Sequence, residues 1–250
     1  MKPTQGLVAF IDILGYQNFI DNNSVEKAVD ILTEVFTGLK DAVIEDYRNS
    51  WIKRPDETNK RFEDVTIQTL SDSIILHFPA RGAMFPMRDW LTFLQTTRVI
   101  QRRLFDNGFP SRGAIASGEY YFRDGFLVGR PFMDAYRLCL SLEFVGTAMT
   151  PECFKRFIVD SERGKAQWQR FPGGVEFLAP RKGDREDKLY CLCPLRRSEV
   201  DTEVTRDLPS LVRSSFWRHD KDVPAAVDAK IDNTVKFWTF WICRKRKAVA

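Results

Sequence analysis

Histidine is scarce in this chain and long apolar runs are missing, and both shortages limit the classes of function it can have. Only His77 and His219 are present among 250 residues, so no Ser-His-Asp or Cys-His arrangement is supported. The five cysteines are an odd number, and only Cys191 and Cys193 are close together, at a spacing that places both on one face of a strand. A zinc site is therefore not predicted, and the cysteines are expected to be reduced, buried thiols.

No stretch of eighteen apolar residues occurs, which argues against a membrane-spanning helix. Residues 1–5 also lack a signal-peptide pattern, so a cytoplasmic protein is expected. The formal net charge of +4 is modest, and most charges of the two signs are interspersed. Charge alone therefore indicates no polyanionic partner.

One basic cluster, residues 244–247, follows an aromatic segment at residues 237–242. Such a combination can bind nucleic acid or an anionic membrane surface. The aromatic residues are also spaced i, i+1, i+3 and i+4, as on the buried face of a helix whose C-terminal dipole favours cationic residues. The buried helix is the favoured interpretation, and no nucleic-acid partner is predicted.

The pattern along the chain predicts one α/β domain with a tail. A chain of this length with 44% hydrophobic residues can bury one sizeable core. The predicted domain covers residues 1–195, and a helical C-terminal extension packed on the same domain covers residues 196–250. Within the domain, helices are predicted at 24–46, 86–106 and 131–145 and from Pro151, with strands at 7–11, 65–70 and 74–78, two strands around the 123–125 turn, and a final hairpin whose charged loop spans 181–188.

Two short acidic motifs carry the functional signal. Asp12 ends the apolar run at residues 7–11, just before Gly15 allows the chain to turn. Asp72 lies between two strand-like segments, at the predicted tip of a hairpin. If that hairpin pairs beside the first strand, the two carboxylates converge and can hold divalent cations, which prefer oxygen ligands. Either acid alone is more simply a helix cap or a turn residue, whereas the pair in this order favours the cation site.

Further segments extend the pattern. Phe10, Asp12, Ile13, Gly15 and Tyr16 fit Phe-x-Asp-Ile-x-Gly-Phe/Tyr, and Asp72 precedes an apolar strand. Residues 112–118 fit Arg-x-Gly-Ile-x-x-Gly except at Ala114, and residues 128–138 fit Gly-x-x-x-Asn-x-Ala-x-Arg-Leu except at Met133. In this order the motifs resemble those of the class III nucleotide cyclases, over roughly residues 5–195. In that family the position of Met133 is a ribose-binding Asn.

The resemblance implies a fold and a reaction. The fold is α/β (α+β), a class III cyclase-like palm with a mainly antiparallel sheet covered by helices, plus the C-terminal helical extension. The reaction is that of a phosphorus-oxygen lyase, in which the ribose 3′-hydroxyl attacks the α-phosphorus and pyrophosphate leaves. Two divalent cations, Mn²⁺ or Mg²⁺, would be held by Asp12, Asp72 and the Ile13 carbonyl. Arg137 would meet charge on the α-phosphate, and Arg112 is expected to be structural.

The same resemblance assigns the nucleotide contacts and the assembly. Backbone amides at the start of the first helix are expected to hold the β- and γ-phosphates. The implied nucleotide-binding residues are Phe10, Ile13, Leu14, Gly15, Tyr16, Thr66, Phe126 and Met133. Because the family builds each site between two catalytic domains and this chain has one copy of each motif, a homodimer with two sites at its interface is predicted.

The substrate prediction rests on departures from the purine cyclases. Thr66 and Phe126 occupy the base-reading positions and match neither the adenylate nor the guanylate enzymes. The segments 112–118 and 128–138 look most like the bacterial pyrimidine cyclases of Pycsar antiphage systems. The predicted activity is therefore conversion of UTP, or else CTP, to the 3′,5′-cyclic monophosphate (cUMP for UTP), a second messenger in antiviral defence. A purine cyclase and a degenerate cyclase-homology module that binds nucleotide or dimerises remain alternatives.

Overall fold

The structure, a computed structural model, describes residues 3–49, 64–80, 85–160, 166, 168, 171–199 and 207–247. Its central element is β1, Thr4–Ile13, whose last eight residues are buried. Alternate side chains of a strand point to opposite faces, so Leu7 and Ile11 enter one core while Val8 and Phe10 enter another. Asp12 continues the second series at the end of the strand.

The strands form one mixed, mainly antiparallel sheet. Its order is β2-β3-β1-β4-β6-β8-β7, and β5 pairs with β4. Only the β4 and β6 pairing is parallel among the described ladders. The strands after β1 are β2 (Thr66–Leu70), β3 (Ser73–Pro79), β4 (Ser111–Arg123), β5 (Phe126–Gly129), β6 (Gly146–Met149), β7 (Gly174–Arg181) and β8 (Arg185–Leu192).

Helices cover both faces of this sheet. Those with described bounds are α1 (Tyr16–Asp21), α2 (Val25–Asn49), α3 (Met87–Asp106), α4 (Arg130–Ser141), α5 (Pro151–Asp160), α6 (Leu208–Trp217) and α7 (Asp228–Lys247). Buried residues of α2, α3 and α5 pack in the Leu7 core. Buried residues of α4, α6 and α7 pack in the Phe10 core. The predicted fold class, a mainly antiparallel sheet covered by helices with a C-terminal helical extension, is confirmed.

Most predicted elements are present, and the differences are local. The predicted helix 131–145 ends at Ser141, because Leu142 is extended and bridges to Arg181. Most of the predicted loop 181–188 belongs to β7 and β8, which approach as close as the pair Arg181 and Arg185. The short strand β6 was not predicted, and α1 was expected only as a helix start after Asp12, without an end. The predicted polar connection at 49–60 lies almost wholly outside the described residues.

The C-terminal extension packs on the sheet core. Trp238 is fully buried and its indole nitrogen donates to the Val145 carbonyl at 3.1 Å. The amide of Val145 in turn donates to Thr234 Oγ1 at 2.9 Å. Within the basic cluster, buried Lys245 donates to the carbonyls of Phe171 and Gly174 at 3.1 and 3.2 Å. The aromatic segment is thus a buried helix face, as the sequence predicted, and one cation of the cluster holds that helix in place.

Four cysteines, including Cys191 and Cys193, are buried free thiols as predicted, whereas Cys243 is exposed on α7. Within the described ranges, no helix combines the length and apolarity needed to cross a lipid bilayer.

Candidate active site

Asp12 and Asp72 meet at the end of β1. The β1 and β3 strands pair antiparallel with Asp12 opposite Ser73, and the Ile13 amide donates to the Asp72 carbonyl at 2.9 Å. Asp72 lies in the two-residue turn between β2 and β3, where Ser71 has a φ of 54°. The hairpin predicted from the sequence is therefore present, and it pairs beside the first strand as the cation-site hypothesis requires.

Arg112 is the direct cross-strand neighbour of Asp12 on β4 and forms an ion pair with it. Its Nε donates to Asp12 Oδ2 at 2.9 Å, while its Nη1 donates to the carbonyls of Leu140 and Leu142 at 3.1 and 3.0 Å. Glu143 Oε1 lies 3.8 Å from the same Nη1. Arg112 is thus structural, as predicted, but it also holds one oxygen of the proposed catalytic acid.

The charge state of Asp12 reflects opposing effects. Burial raises the pKa of Asp12 above its ordinary value, and the nearby charge of Asp72 also raises it. The Arg112 guanidinium opposes this rise through its charge and its hydrogen bond. A cation placed between the two acids would be attracted to both carboxylates, so the pair is electrostatically suited to a positive ligand.

A cavity of about 490 Å³ opens beside this pair. We call it the Asp12 cavity. Gly15 lies on its wall with a φ of 76°, a left-handed conformation that favours glycine, and it immediately precedes α1. Ile13, Leu14 and Tyr16 also line the cavity. The structure therefore places residues 12–16 of the first motif around one opening.

Two of the predicted nucleotide-binding residues, Leu14 and Phe10, make other contacts in this structure. The Leu14 amide donates to the Pro110 carbonyl at 2.8 Å, so it cannot also hold a phosphate in this conformation. Phe10 is 5% exposed and packs edge-on against Phe132 and Tyr136, with ring centroids 5.9 and 5.2 Å away. Its role in this structure is core packing under α4. Moreover, α1 has only six residues, so its dipole at Tyr16 is weak.

Arg137 does not reach the two acids within this chain. It is exposed on α4 and lines a second cavity of about 1020 Å³, which we call the Arg137 cavity. Arg130, Arg181 and Lys188 line it as well. The acids and the arginine therefore face separate cavities of one molecule.

The predicted base-contacting residues line neither cavity. Thr66 is half-buried opposite His77, Phe126 is 72% exposed at the start of β5, and Met133 is exposed on α4, one turn before Arg137. Gln68, two residues after Thr66, donates to the Gly125 carbonyl at 3.3 Å and so joins β2 to the β4–β5 turn beside Phe126. Gln68 was not predicted from the sequence, because its hydrogen bond to Gly125 joins residues that are far apart in the chain.

Three titratable side chains away from the two acids, those of His77, Lys221 and His219, make structural contacts. Burial lowers the pKa of His77 to about 4, and its Nδ1 lies 3.4 Å from the Tyr120 hydroxyl. Burial also lowers the pKa of Lys221 to about 7, while its ammonium donates to the carbonyls of Gly108 and Ser215. His219 stacks on Phe109 with centroids 5.1 Å apart. The core and surface roles predicted for the two histidines agree with these contacts.

Comparisons with known proteins find similarity only at the level of structure. No protein-family model and no curated protein matches the sequence. The adenylyl cyclase CyaB from P. aeruginosa is 14% identical, with a TM-score of 0.49 over 78% of this chain and 97% of that chain. The catalytic core of a rhodopsin-guanylyl cyclase with converted specificity, in complex with ATPαS, is 11% identical, with a TM-score of 0.47 over 76% and 96%.

The adenylate/guanylate cyclase/hydrolase from Silicibacter pomeroyi is 17% identical, with a TM-score of 0.44 over 78% of this chain and 99% of that chain. Because every one of these TM-scores is below 0.5 and every identity is below 20%, these likenesses do not assign the chain to a family.

Proposed function

We propose that this chain is a nucleotide cyclase that converts a nucleoside triphosphate to its 3′,5′-cyclic monophosphate and pyrophosphate. The observation that carries the proposal is the meeting of Asp12 and Asp72 at one cavity, each supplied by a motif that resembles those of the class III cyclases. Two adjacent carboxylates beside a glycine turn suit a metal-bound polyphosphate better than they suit a structural cap.

The donor set fits hard divalent cations. Asp12 and Asp72 supply carboxylate oxygens and Ile13 a backbone carbonyl, which are the ligands Mg²⁺ and Mn²⁺ prefer. Among the residues that the structure describes, no group of three or more His, Cys, Asp or Glu side chains could hold a metal. Such a site needs substrate phosphates to complete its coordination. When bound, the ions would acidify the 3′-hydroxyl and neutralise charge on the triphosphate.

The residues of this chain would divide the remaining work. Asp12 and Asp72 orient the phosphates through the ions, and Arg112 keeps the Asp12 carboxylate in one rotamer. The backbone amides of Gly15 and Tyr16 would contact the phosphates, because the Leu14 amide already donates to the Pro110 carbonyl. Arg137 would supply the planar donor fork at the α-phosphate.

A homodimer would bring Arg137 to the acids. The two groups line separate cavities of one chain, so a single molecule leaves each cavity incomplete. A band of exposed apolar residues lies on the β4–β5 hairpin and the adjacent first half of α4, consistent with burial against a second copy. Its members are Phe122, Phe126, Val128, Met133 and Tyr136.

The proposed substrate is UTP, with CTP second. Thr66 or Gln68 could hydrogen-bond the position-4 group of a pyrimidine, since a hydroxyl and an amide each donate and accept. Phe126 would supply an apolar wall that excludes a larger base. Gln68 is the better placed of the two polar residues, because its amide already reaches the turn that carries Phe126. The product would act as a second messenger in the cytoplasm, in antiviral defence.

The proposal is tested by incubating the protein separately with ATP, GTP, CTP and UTP in the presence of Mn²⁺. Mass spectrometry should show a cyclic monophosphate and pyrophosphate, with UTP turned over fastest. Gln68→Ala should reduce the rate of UTP turnover while leaving the free energy of unfolding nearly unchanged. Equal rates with ATP and UTP would reject the pyrimidine assignment and keep the cyclase. Nucleotide binding without any cyclic product would instead indicate the degenerate module.

A further inference from the structure

The C-terminal extension forms one wall of the Asp12 cavity. The opening is lined by Asp12, Asp72 and Gly15 together with residues of the extension, which are Phe216 of α6, the segment 221–224, Val227 and Lys230. The residues of the extension lie outside the segment that carries the cyclase-like motifs. The cavity in which a triphosphate would be held is therefore completed by a part of the chain that the motifs do not explain.

This wall is fastened to the rest of the protein. Lys221 is 4% exposed and donates to Gly108 and Ser215, and its ammonium lies 5.4 Å from the centre of the Phe109 ring. Asn23 donates to the His219 carbonyl at 2.9 Å, and Lys27 forms an ion pair with Asp220 at 2.6 Å. Because the ammonium of Lys221 is used in this fastening, it is a poor candidate to contact a ligand.

Lys230 is placed differently. It lies in the first turn of α7, lines the Asp12 cavity, and its Nζ is 2.9 Å from Glu143 Oε2. Glu143 lies 3.8 Å from Arg112, which holds Asp12 at 2.9 Å. The four side chains Asp12, Arg112, Glu143 and Lys230 thus form a row of alternating charge. Asp12 and Lys230, the two ends of this row, line the same cavity.

An ammonium has three donors, and the contact with Glu143 uses one direction. Lys230 can therefore donate to a phosphate oxygen without losing its carboxylate partner. The side chains that line the cavity include the acids Asp12, Asp21, Asp72 and Asp222. A polyphosphate entering among these acids is repelled unless cations, from metal or from the chain, face it.

We propose that Lys230 is a polyphosphate-binding residue, through which the C-terminal extension contributes directly to the nucleotide site. The inference rests on the proposed function for its ligand, the triphosphate of the substrate. Lys230 contacts the outer phosphates from α7, opposite the acids, and Glu143 holds its ammonium in place before the ligand arrives.

The test measures binding of inorganic tripolyphosphate with Mn²⁺ by titration calorimetry, which requires no turnover. Lys230→Gln should weaken binding about tenfold or more, the usual effect of losing one charged hydrogen bond, and Lys230→Arg should retain most of it. Glu143→Gln should bind at least as tightly as the unmodified chain, since its amide oxygen can still accept from the Lys230 ammonium while the negative charge that repels phosphate is removed. Lys236→Gln, an exposed lysine on the same helix, is the matched control and should change nothing.

Thermal unfolding of each variant separates lost binding from lost fold. Unchanged binding by Lys230→Gln, or absence of tripolyphosphate binding by the unmodified chain, would overturn the inference. Equal weakening by Glu143→Gln and Lys230→Gln would also overturn it, because the pair would then be only structural. Tripolyphosphate binding that depends on Lys230, without turnover of any of the four nucleotides, would overturn the cyclase proposal and support the polyphosphate site.

Discussion

At the scale of single residues, Asp12 and Asp72 have the same proposed role but different structural surroundings. Asp12 is buried and paired with Arg112, whereas Asp72 is half-buried at a hairpin tip. Removing the Asp12 carboxylate leaves the buried Arg112 guanidinium with only the more distant carboxylate of Glu143, 3.8 Å away, a change that has no counterpart at Asp72. Activity and stability should therefore respond differently at the two sites.

We expect Asp12→Asn and Asp72→Asn each to abolish cyclic-nucleotide formation with Mn²⁺ present. Asp72→Asn should change the free energy of unfolding by less than about 0.5 kcal/mol, whereas Asp12→Asn should lower it by about 1–3 kcal/mol. Urea unfolding and product formation measure the two effects, and Asp30→Asn, an exposed acid on α2, is the control. Turnover by Asp72→Asn near that of the unmodified chain would contradict the two-acid site.

His77 should make stability depend on pH. Its pKa is lowered to about 4 by burial from an ordinary value of 6.5, so below about pH 6.5 the unfolded chain binds a proton that the folded chain does not. The free energy of unfolding should then fall by about 1.4 kcal/mol per pH unit as pH drops from about 6.5 to about 4.

Unfolding of the unmodified chain and of His77→Gln at pH 7 and pH 5 isolates this contribution, because other titrating groups cancel in the difference. An equal loss of stability in both proteins would show that His77 is not the titrating group.

At the scale of elements, α7 belongs to the core that supports the site. Trp238 lies fully buried against Phe105, with centroids 4.7 Å apart, and donates to Val145 just before β6. Phe240 is 38% exposed on the same helix. Trp238→Ala should therefore lower the free energy of unfolding by about 3–5 kcal/mol, and Phe240→Ala by clearly less. Chemical denaturation of both variants checks this order, and similar losses would show that the helix face is misassigned.

The elements that the sequence could predict are those with a strong local signal. The β2–β3 hairpin joins a strand of alternating polarity to a largely apolar strand, and the Pro86 and Asn107 boundaries of α3 follow from local capping preferences. In contrast, β6 has only four residues and forms a strand through parallel pairing with β4, which is a long-range contact. The helix α1 is too short to show a period.

In the candidate site, too, the sequence predicted the residues with a strong local signal and not their long-range partners. Asp12 and Asp72 stand out because each is a charge inside an apolar run, and the hairpin register brings them together. The ion pair with Arg112 depends on strand order, and the use of the Leu14 amide by Pro110 depends on a loop contact. Neither partner is visible from spacing. The domain division at residue 195 stays a prediction.

At the scale of the whole molecule, the acids and Arg137 face separate cavities, so the proposed reaction needs two chains. A dimer built from one acid-deficient chain and one arginine-deficient chain contains one site with both lesions and one with neither. Random exchange at equal concentrations makes about half of the dimers mixed, so about one quarter of all sites are intact.

The most direct measurement mixes Asp12→Asn with Arg137→Ala and follows cyclic-nucleotide formation after subunit exchange has been shown by native mass spectrometry. Each variant alone should be inactive, and the mixture should recover up to about one quarter of the activity of the unmodified protein. No product from a mixture that has demonstrably exchanged subunits would contradict a cyclase site shared between two chains.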